Sequence, residues 1–266
     1  MKSPTASDWT RILPCDIAEQ AGLRFGEKGT HTSRTMMLEE LSILLNKLPK
    51  DAGRREYAVA IIEDNILGKR TAATRRLTNQ RLGEIYGLDP KIPIFRVLRR
   101  LWDLDIQGRP LLALMCTMGR DPLLRAAAMA VLILEPGEEL SRSKMLQSIL
   151  EAVGDRLNDD ILDKVARNAS SSFTQSCHLE GRTRKIRRKT VSTPYTAAFA
   201  LWLGFQFGKA GEELLSTPWA GLMDLSGQEM QDMALKAKQL QLIRANIGGG
   251  VIEIDPSNLD NDREVR

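Results

Sequence analysis

Two short stretches of the sequence concentrate positive charge. Residues 65–82, NILGKRTAATRRLTNQRL, carry five basic residues and no acidic one, and residues 181–190 carry six basic residues. By contrast, residues 210–266 carry ten acidic and five basic residues. Clustered Lys and Arg side chains are suited to neutralising phosphates, so the pattern favours a nucleic-acid-binding surface. Two solvated helix faces would be the ordinary alternative.

Side chains that can contact phosphates and base edges share one face of a predicted helix, residues 159–177. At 100° per residue, the apolar side chains from Ile161 to Cys177 fall within an arc of about 160°. The opposite arc combines an arginine suited to guanine, amides suited to adenine, and hydroxyls suited to either. These predicted contacts are Lys164, Arg167, Asn168, Ser171, Thr174 and Gln175.

The predicted elements on either side of this helix indicate how it would dock on DNA. Two short predicted helices, 122–134 and 142–153, precede it, which is the order of a helix-turn-helix whose third helix enters the major groove. The non-helical segment 179–191, LEGRTRKIRRKTV, follows it with a turn at Gly181. We expect this segment to be a basic wing on the flanking phosphates. Its predicted contacts are Arg182, Arg184, Lys185, Arg187, Arg188 and Lys189.

One feature of the helix opposes DNA binding. Asp159, Asp160 and Asp163 crowd its first turn, where they suit the helix dipole but would repel a phosphate backbone. We therefore expect the middle and the C-terminal half of the helix to contact DNA. A plain amphipathic helix followed by an exposed loop would give the same pattern.

The first basic stretch predicts a helix from a Thr71 cap to a stop at Gly87. Its cations do not lie on one stripe, so one flat surface cannot contact them all. Thr71, Thr74 and Thr78 are placed to donate hydrogen bonds to phosphates. The alternatives to DNA are the acidic residues 210–266 or an acidic partner subunit. The predicted contacts are Lys69, Arg70, Thr71, Thr74, Arg75, Arg76 and Arg81.

Signatures of catalysis and of cofactor binding are absent from the sequence. GKRT (68–71) lacks the upstream glycine of a phosphate loop and has Arg after its Lys. His31 and His178 have no neighbour at metal or triad spacing, so both are predicted to cap or pack. The three cysteines are far apart and form no CxxC pair. We predict a protein that is not an enzyme and needs no cofactor or metal.

The hydrophobic pattern predicts a mostly α fold: a compact helical protein with a helix-turn-helix or winged-helix-like element. We assign residues 1–107 to a helical domain with the basic helix, and residues 108–225 to a winged-helix-like domain. Residues 226–266 would hold a helix, one strand (VIEI, 251–254) and a loose acidic tail from 255. Within the first domain, Ser33 is expected to cap a helix running to Leu48, and Tyr57–Leu67 to form the next.

The cellular location follows from what the sequence lacks. The N-terminus has no apolar leader, so we expect a cytoplasmic protein. Its two longest apolar stretches are broken by charge or too short to cross a bilayer.

Several stretches resemble the BrxA family of bacteriophage-exclusion (BREX) defence systems. They are KGTHTSRTMMLEELSILL (28–45), NILGKRTAATRRLTNQRLGEIYGLDP (65–90), IFRVLRRLW (94–102), GRPLLALMCTMGRDPLLR (108–125) and SSSFTQSCHLEGRTRKIRR (170–188). The resemblance covers roughly residues 28–225 and includes no catalytic signature.

The resemblance implies an all-helical, non-enzymatic DNA-binding component. It would act beside a DNA methyltransferase, an ATPase and a phosphatase-like protein in separating phage DNA from host DNA. The family is similar in fold to a helical antitermination factor that binds RNA. RNA binding is therefore one alternative to duplex DNA binding. The other is a protein-interaction scaffold, in which the basic blocks meet acidic partner surfaces. The low aromatic content, 5% of the chain, argues against stacking on single strands.

Overall fold

The computed structural model describes Trp9, residues 13–248 and residues 251–260, and these are mostly α-helical, as predicted. The helices are α1 (Asp16–Gln20), α2 (Leu38–Lys47), α3 (Arg54–Ile62), α4 (Ala72–Tyr86), α5 (Pro93–Trp102), α6 (Arg109–Arg120), α7 (Pro122–Leu132), α8 (Arg142–Val153), α9 (Asp159–Gln175), α10 (Pro194–Phe205), α11 (Pro218–Gly221) and α12 (Gly227–Gln239). The strands are β1 (Glu139–Leu140), β2 (Leu179–Glu180), β3 (Lys185–Arg187), β4 (Arg244–Gly248) and β5 (Val251–Asp255).

Local capping chemistry explains where several helices begin. The side chain of Thr71 accepts from the Thr74 N–H at the start of α4, and Asn158 accepts from Ile161 at the start of α9. Ser226 caps α12 in a capping box with Glu229. These caps stand close to the predicted boundaries because the residues that make them are neighbours in the sequence.

The start of α2 was predicted wrongly. Ser33 does not cap it; residues Thr30–Thr32 form a short 3-10 turn, and α2 begins at Leu38 after Met37, whose φ is 55°. The carboxylate of Asp121 accepts from the backbone N–H groups of Thr30 and His31, which holds the turn away from α2. The cause is a contact with a residue 90 positions away in the sequence, and local helix propensity gives no sign of it. The next predicted helix is also shifted: it is α3, Arg54–Ile62.

The acidic end of the chain is more ordered than predicted. Residues Ser257–Asp260 form a 3-10 turn against α5, with Leu259 buried. The Arg100 guanidinium donates to the carbonyls of Asn258 and Leu259 at 3.0 Å each. The expected loose tail is therefore wrong for 255–260, and the rest of that prediction, 261–266, lies outside the described residues.

The strands form two small antiparallel sheets. The predicted strand at 251–254 is confirmed as β5, which pairs with β4, a strand the sequence analysis missed. The other sheet has the order β1-β3-β2. Its strands β2 and β3 are a hairpin that directly follows α9, where a non-helical segment was predicted. Gly249 and Gly250 lie outside the described residues.

One continuous cluster of buried apolar side chains fills the core. It draws on all three predicted segments, with Leu41 and Leu98 from the first, Phe199 from the second and Ala234 from the third. The division at 107 and 225 stays a prediction. In the described part of the chain, no helix is both long and apolar enough to cross a membrane.

Candidate nucleic-acid interface

Helix α9 is the element around which the predicted contacts collect. Its apolar arc packs on α7 and α8, and β2 follows its C-terminal end. Leu162, Val165, Ala169 and Phe173 are buried there, as the 3.6-residue periodicity predicts. The polar side chains of α9 divide into two groups, because one edge is covered by the N-terminal segment 30–38 and the other edge is open.

On the covered edge, the side chains of Asn168 and Gln175 already have partners. The Asn168 amide donates to the His31 carbonyl at 2.7 Å. The Gln175 amide oxygen accepts from the Leu38 N–H at 3.1 Å, and its nitrogen donates to the Thr35 hydroxyl at 3.1 Å. Both residues were predicted to read adenine. In this structure they attach segment 30–38 to α9 instead.

A chain of buried hydrogen bonds underlies that attachment. His31 Nδ1 lies 2.8 Å from Asp121 Oδ2, and His31 Nε2 lies 2.8 Å from Ser172 Oγ. Ser172 Oγ also accepts from the Met36 N–H at 2.8 Å. Burial by itself would raise the pKa of the Asp121 carboxyl, but His31 and backbone N–H groups hold that pKa below its ordinary value. We call these three side chains the His31 clasp.

The His31 clasp has the residue types and the order of a hydrolase triad. The expectation that His31 lacks a partner at triad spacing was therefore wrong, because the partners come from positions 121 and 172. However, His31 and Ser172 are fully buried and Asp121 is 1% exposed, so a substrate has no access to the Ser172 hydroxyl. The packing role predicted for His31 agrees with this geometry.

Gly29 allows segment 30–38 to approach α7 closely. A Cβ atom at this position would lie 2.2 Å from Asp121 Oδ1 and 2.8 Å from a Leu123 side-chain carbon. Asp121 itself is the N-cap of α7, with Oδ1 accepting from the Leu123 and Leu124 N–H groups. The same carboxylate therefore begins α7 and holds the turn that covers α9.

His178 packs at the end of α9, as predicted. Its ring lies edge-on to Phe173, and its nitrogens lie 2.9 Å from Ser176 Oγ and 2.9 Å from the Leu222 carbonyl oxygen. Complete burial lowers the pKa of His178 to about 4. The ring is therefore neutral at physiological pH and serves the packing of the core.

The open edge of α9 presents Lys164, Arg167 and Ser171, which we call the α9 stripe. Lys164 is exposed with no carboxylate partner among the described residues, and Arg167 is 67% exposed. Asp163 lies beside the stripe, where Arg142 holds its Oδ1 at 2.6 Å and Arg167 Nε lies 3.4 Å from its Oδ2. Two cations therefore surround one of the three acidic residues that were predicted to repel phosphates.

The β2–β3 hairpin extends from the C-terminal end of the α9 stripe. Lys185 Nζ donates to Thr174 Oγ1 at 2.9 Å, and partial burial lowers the pKa of this ammonium. Gly181 has a φ of +102°, and a Cβ atom there would lie 2.0 Å from the Arg184 carbonyl oxygen. The turn predicted at Gly181 is confirmed. Arg182, in this turn, is exposed and has no carboxylate partner among the described residues.

The remaining hairpin cations pair with carboxylates. Arg187 is 2% exposed and bound to Asp224, so its predicted contact with phosphates was wrong: it stabilises the base of the hairpin. Three other pairs are exposed. They are Arg184 with Glu139 at 2.6 Å, Arg188 with Glu180 at 2.6 Å, and Lys189 with Glu229 at 3.5 Å.

The basic helix α4 is more heavily neutralised than predicted. Lys69 pairs with Glu40 at 2.9 Å, Arg81 pairs with Glu84 at 2.8 Å, and Arg75 donates to the Ile62 carbonyl at 2.7 Å. The hydroxyls of Thr71 and Thr74 bond to each other in the helix cap, and Thr78 is buried. Within the described residues, the exposed cations of this block without a carboxylate are Arg70 and Arg76.

The two basic blocks approach each other through the first turn of α2. Gln175, next to the Thr174 that binds Lys185, accepts from the Leu38 N–H. Glu40, in the same turn of α2, holds Lys69. The start of the basic helix and the base of the hairpin therefore both lie next to the first turn of α2, although they are far apart in the sequence.

The sequence analysis missed the exposed N-terminus of α8. Arg142, Ser143 and Lys144 are exposed there, and Arg142 reaches Asp163 beside the α9 stripe. The signal was present in the sequence SRSK at a predicted helix start. Helix N-termini with hydroxyl and basic side chains bind anions, because the free N–H groups add to the positive field.

Comparison of the chain with protein-family models and with curated proteins gives no match. Among the described residues, no group of three or more His, Cys, Asp or Glu side chains is arranged to hold a metal ion.

Proposed function

We propose that residues 122–190 form a winged helix-turn-helix and that the chain is a non-enzymatic protein binding duplex DNA. The observation that carries the proposal is the element order α7-β1-α8-α9-β2-β3 with the sheet order β1-β3-β2. In such a module the third helix, here α9, enters the major groove, and the hairpin lies on the flanking backbone. The α9 stripe and Arg182 occupy the corresponding positions.

Charge on this surface supports phosphate binding. Lys164, Arg182 and Lys144 are exposed without carboxylate partners among the described residues. The exposed pairs of Arg184 and Arg188 do not prevent binding, because surface ion pairs contribute only about 0.2–1 kcal/mol and a phosphate can replace the carboxylate. Each neutralised phosphate releases a counterion, so affinity should fall steeply with salt.

The acidic first turn of α9 limits how DNA would lie. Asp159 and Asp160 are exposed, whereas Asp163 is held between Arg142 and Arg167. Repulsion from the two free carboxylates would keep the DNA backbone off the first turn. The middle of α9 and the hairpin turn are the proposed contact.

Two cations of the first basic block, Arg70 just before α4 and Arg76 within it, would extend the phosphate-binding surface. Arg70 and Arg76 are exposed, and the start of α4 is linked to the α9 C-terminus through α2. Glu39 and Glu40 lie in this link, so we expect these cations to contribute less than those of the α9 stripe and the hairpin.

A salt titration with matched charge reversals tests the proposal. Lys164→Glu with Arg182→Glu should weaken binding to a fluorescent duplex at least roughly tenfold and reduce the steepness of the log–log salt slope by about 2, because two phosphate contacts are lost. Lys236→Glu with Lys238→Glu on α12 is the control: both lysines are exposed and the net charge change is identical. Anisotropy measures each affinity.

The outcomes of this titration separate the alternatives. Absence of duplex binding at low salt, or equal losses in both double variants, would overturn the proposal. Tighter binding to a structured RNA competitor than to duplex DNA would favour RNA. Binding of single strands would need exposed aromatic side chains on which bases can stack. Among the large exposed hydrophobic side chains of the described residues, only Phe205 is aromatic, and it is 36% exposed.

We also propose a role as an accessory protein in BREX defence, and this part rests on the sequence resemblance. This role predicts that the chain co-purifies with the methyltransferase, ATPase or phosphatase-like component of the same system. Retention of that partner after nuclease treatment, with no duplex binding by the chain alone, would support a protein-interaction scaffold instead. Loss of the partner on nuclease treatment would support association through DNA.

A further inference from the structure

Three side chains of α9 carry a planar group that can make two hydrogen bonds to one base edge: Arg167 for guanine, and Asn168 and Gln175 for adenine. The two amides are not available. Asn168 donates to the His31 carbonyl, and Gln175 uses both ends of its amide on segment 30–38. If α9 enters the major groove, base recognition by these residue types is reduced to Arg167.

Arg167 forms an ion pair with a carboxylate of its own helix. Its Nε lies 3.4 Å from Asp163 Oδ2, one helical turn earlier. Asp163 is in turn fixed from α8, because Arg142 donates to its Oδ1 through Nε at 3.0 Å and Nη2 at 2.6 Å. A guanidinium held at its Nε side keeps its two Nη groups for another ligand, and the side chain is 67% exposed.

On the basis of the proposed DNA-binding function, we infer that Arg167 is the specificity-determining residue of α9. It reads a single guanine through O6 and N7, and Asp163 and Arg142 act as positioning residues. A bidentate arginine matches these two acceptors in the major groove. The remaining contacts, from Lys164, Arg182 and Lys144, are to phosphates and carry no sequence information. Binding is therefore tolerant of sequence outside one base pair.

The test begins with selection of bound duplexes from a random pool. The wild-type protein should enrich one G·C position, and changing that pair to A·T should weaken binding about fivefold to 150-fold. Replacing the guanine by 7-deazaguanine, which lacks the N7 acceptor, should also weaken binding. Arg167→Lys and Arg167→Ala should remove the preference.

Two control variants distinguish reading from general attraction. Lys164→Ala should weaken binding to all duplexes alike and keep the preference. Asp163→Asn should have opposite effects on two measurements: the affinity for unrelated duplexes rises because a negative charge is removed, while the guanine preference falls because Arg167 is no longer oriented. A purely structural role for Asp163 would not change the preference in this way.

Failure of this inference is distinguishable from failure of the proposed function. Salt-dependent binding with no enriched position, or a preference that survives Arg167→Ala, would overturn the role of Arg167 and leave DNA binding intact. Absence of binding to any duplex at low salt would overturn the proposed function itself.

Discussion

The two polar edges of α9 contain similar residues and have opposite surroundings. Asn168, Ser172 and Gln175 bond to segment 30–38, whereas Lys164 and Arg167 are exposed and Ser171 is half-buried. A helical projection places Ser172 inside the apolar arc and the other five on one continuous polar arc, and it does not show which part of that polar arc segment 30–38 covers. The difference shows that a polar face stays available to a ligand only where no other segment of the chain satisfies it.

The physical requirements of the two edges also differ. A buried polar group without a partner costs about 1–3 kcal/mol, so the covered edge must have every donor and acceptor satisfied. The open edge has no such requirement, because water hydrates each cation until a ligand replaces it. Substitutions on the covered edge should therefore change stability, and substitutions on the open edge should change binding.

The strongest test of this contrast is Asp121→Ala. Asp121 accepts from Thr30, His31, Leu123 and Leu124, and its loss leaves buried donors unpaired. We expect the free energy of unfolding to fall by about 3–5 kcal/mol in urea denaturation. The exposed Asp160→Ala should stay within about 0.5 kcal/mol of the wild type. Similar stabilities for the two variants would show that the His31 clasp does not hold the fold.

A change of pH should also affect the buried region more than the open one. Burial lowers the pKa of His178 to about 4, so between pH 6.5 and 4 the unfolded chain binds a proton that the folded chain does not. Stability should therefore fall as the pH falls, by about 2 kcal/mol between about pH 7 and pH 5.

Urea denaturation at the two pH values measures this effect. His178→Gln, which cannot take up the proton, should be less stable at pH 7 and should lose most of the difference between pH 7 and pH 5. An equal pH dependence in the variant would assign the titration to other groups.

The smallest expected effect compares one residue from each edge. Asn168→Ala should lower the free energy of unfolding by about 1 kcal/mol, because the bond to the His31 carbonyl is lost, and should leave duplex affinity unchanged. Ser171→Ala should show the opposite pattern. Its free energy of unfolding should stay within about 0.5 kcal/mol of the wild type, and its duplex affinity should fall up to about threefold. The same pattern in both variants, by denaturation and anisotropy, would remove the distinction between the edges.

Comparison of sequence and structure separates local from distant causes. Helix α4 begins at its predicted Thr71 cap, and α9 begins at Asn158, because these caps bond to residues three positions ahead. Helix α2 was misplaced because Asp121 decides where the preceding turn lies. Arg187 was predicted at a surface because the basic run 182–189 gives no sign that Asp224 binds one of its members inside the fold.

The predicted binding residues divide in the same way. Thirteen cations were predicted to contact nucleic acid, and within the described residues seven of them face a carboxylate. The carboxylates of Glu40, Glu139, Asp224 and Glu229 come from distant parts of the chain. The sequence shows where positive charge is concentrated, and it does not show which charges the folded chain neutralises.

The sequence by itself determined most of the helices, the caps of α4 and α9 and the apolar face of α9, because these depend on periodicity and on bonds between near neighbours. Only the tertiary structure decided that His31, Asp121 and Ser172 form a buried chain, and that Asn168 and Gln175 are occupied. The physical reason is that hydrogen bonds and ion pairs across the fold depend on which segments lie side by side. In α9, segment 30–38 covers Asn168 and Gln175, and it leaves Arg167 and Lys164 exposed to solvent.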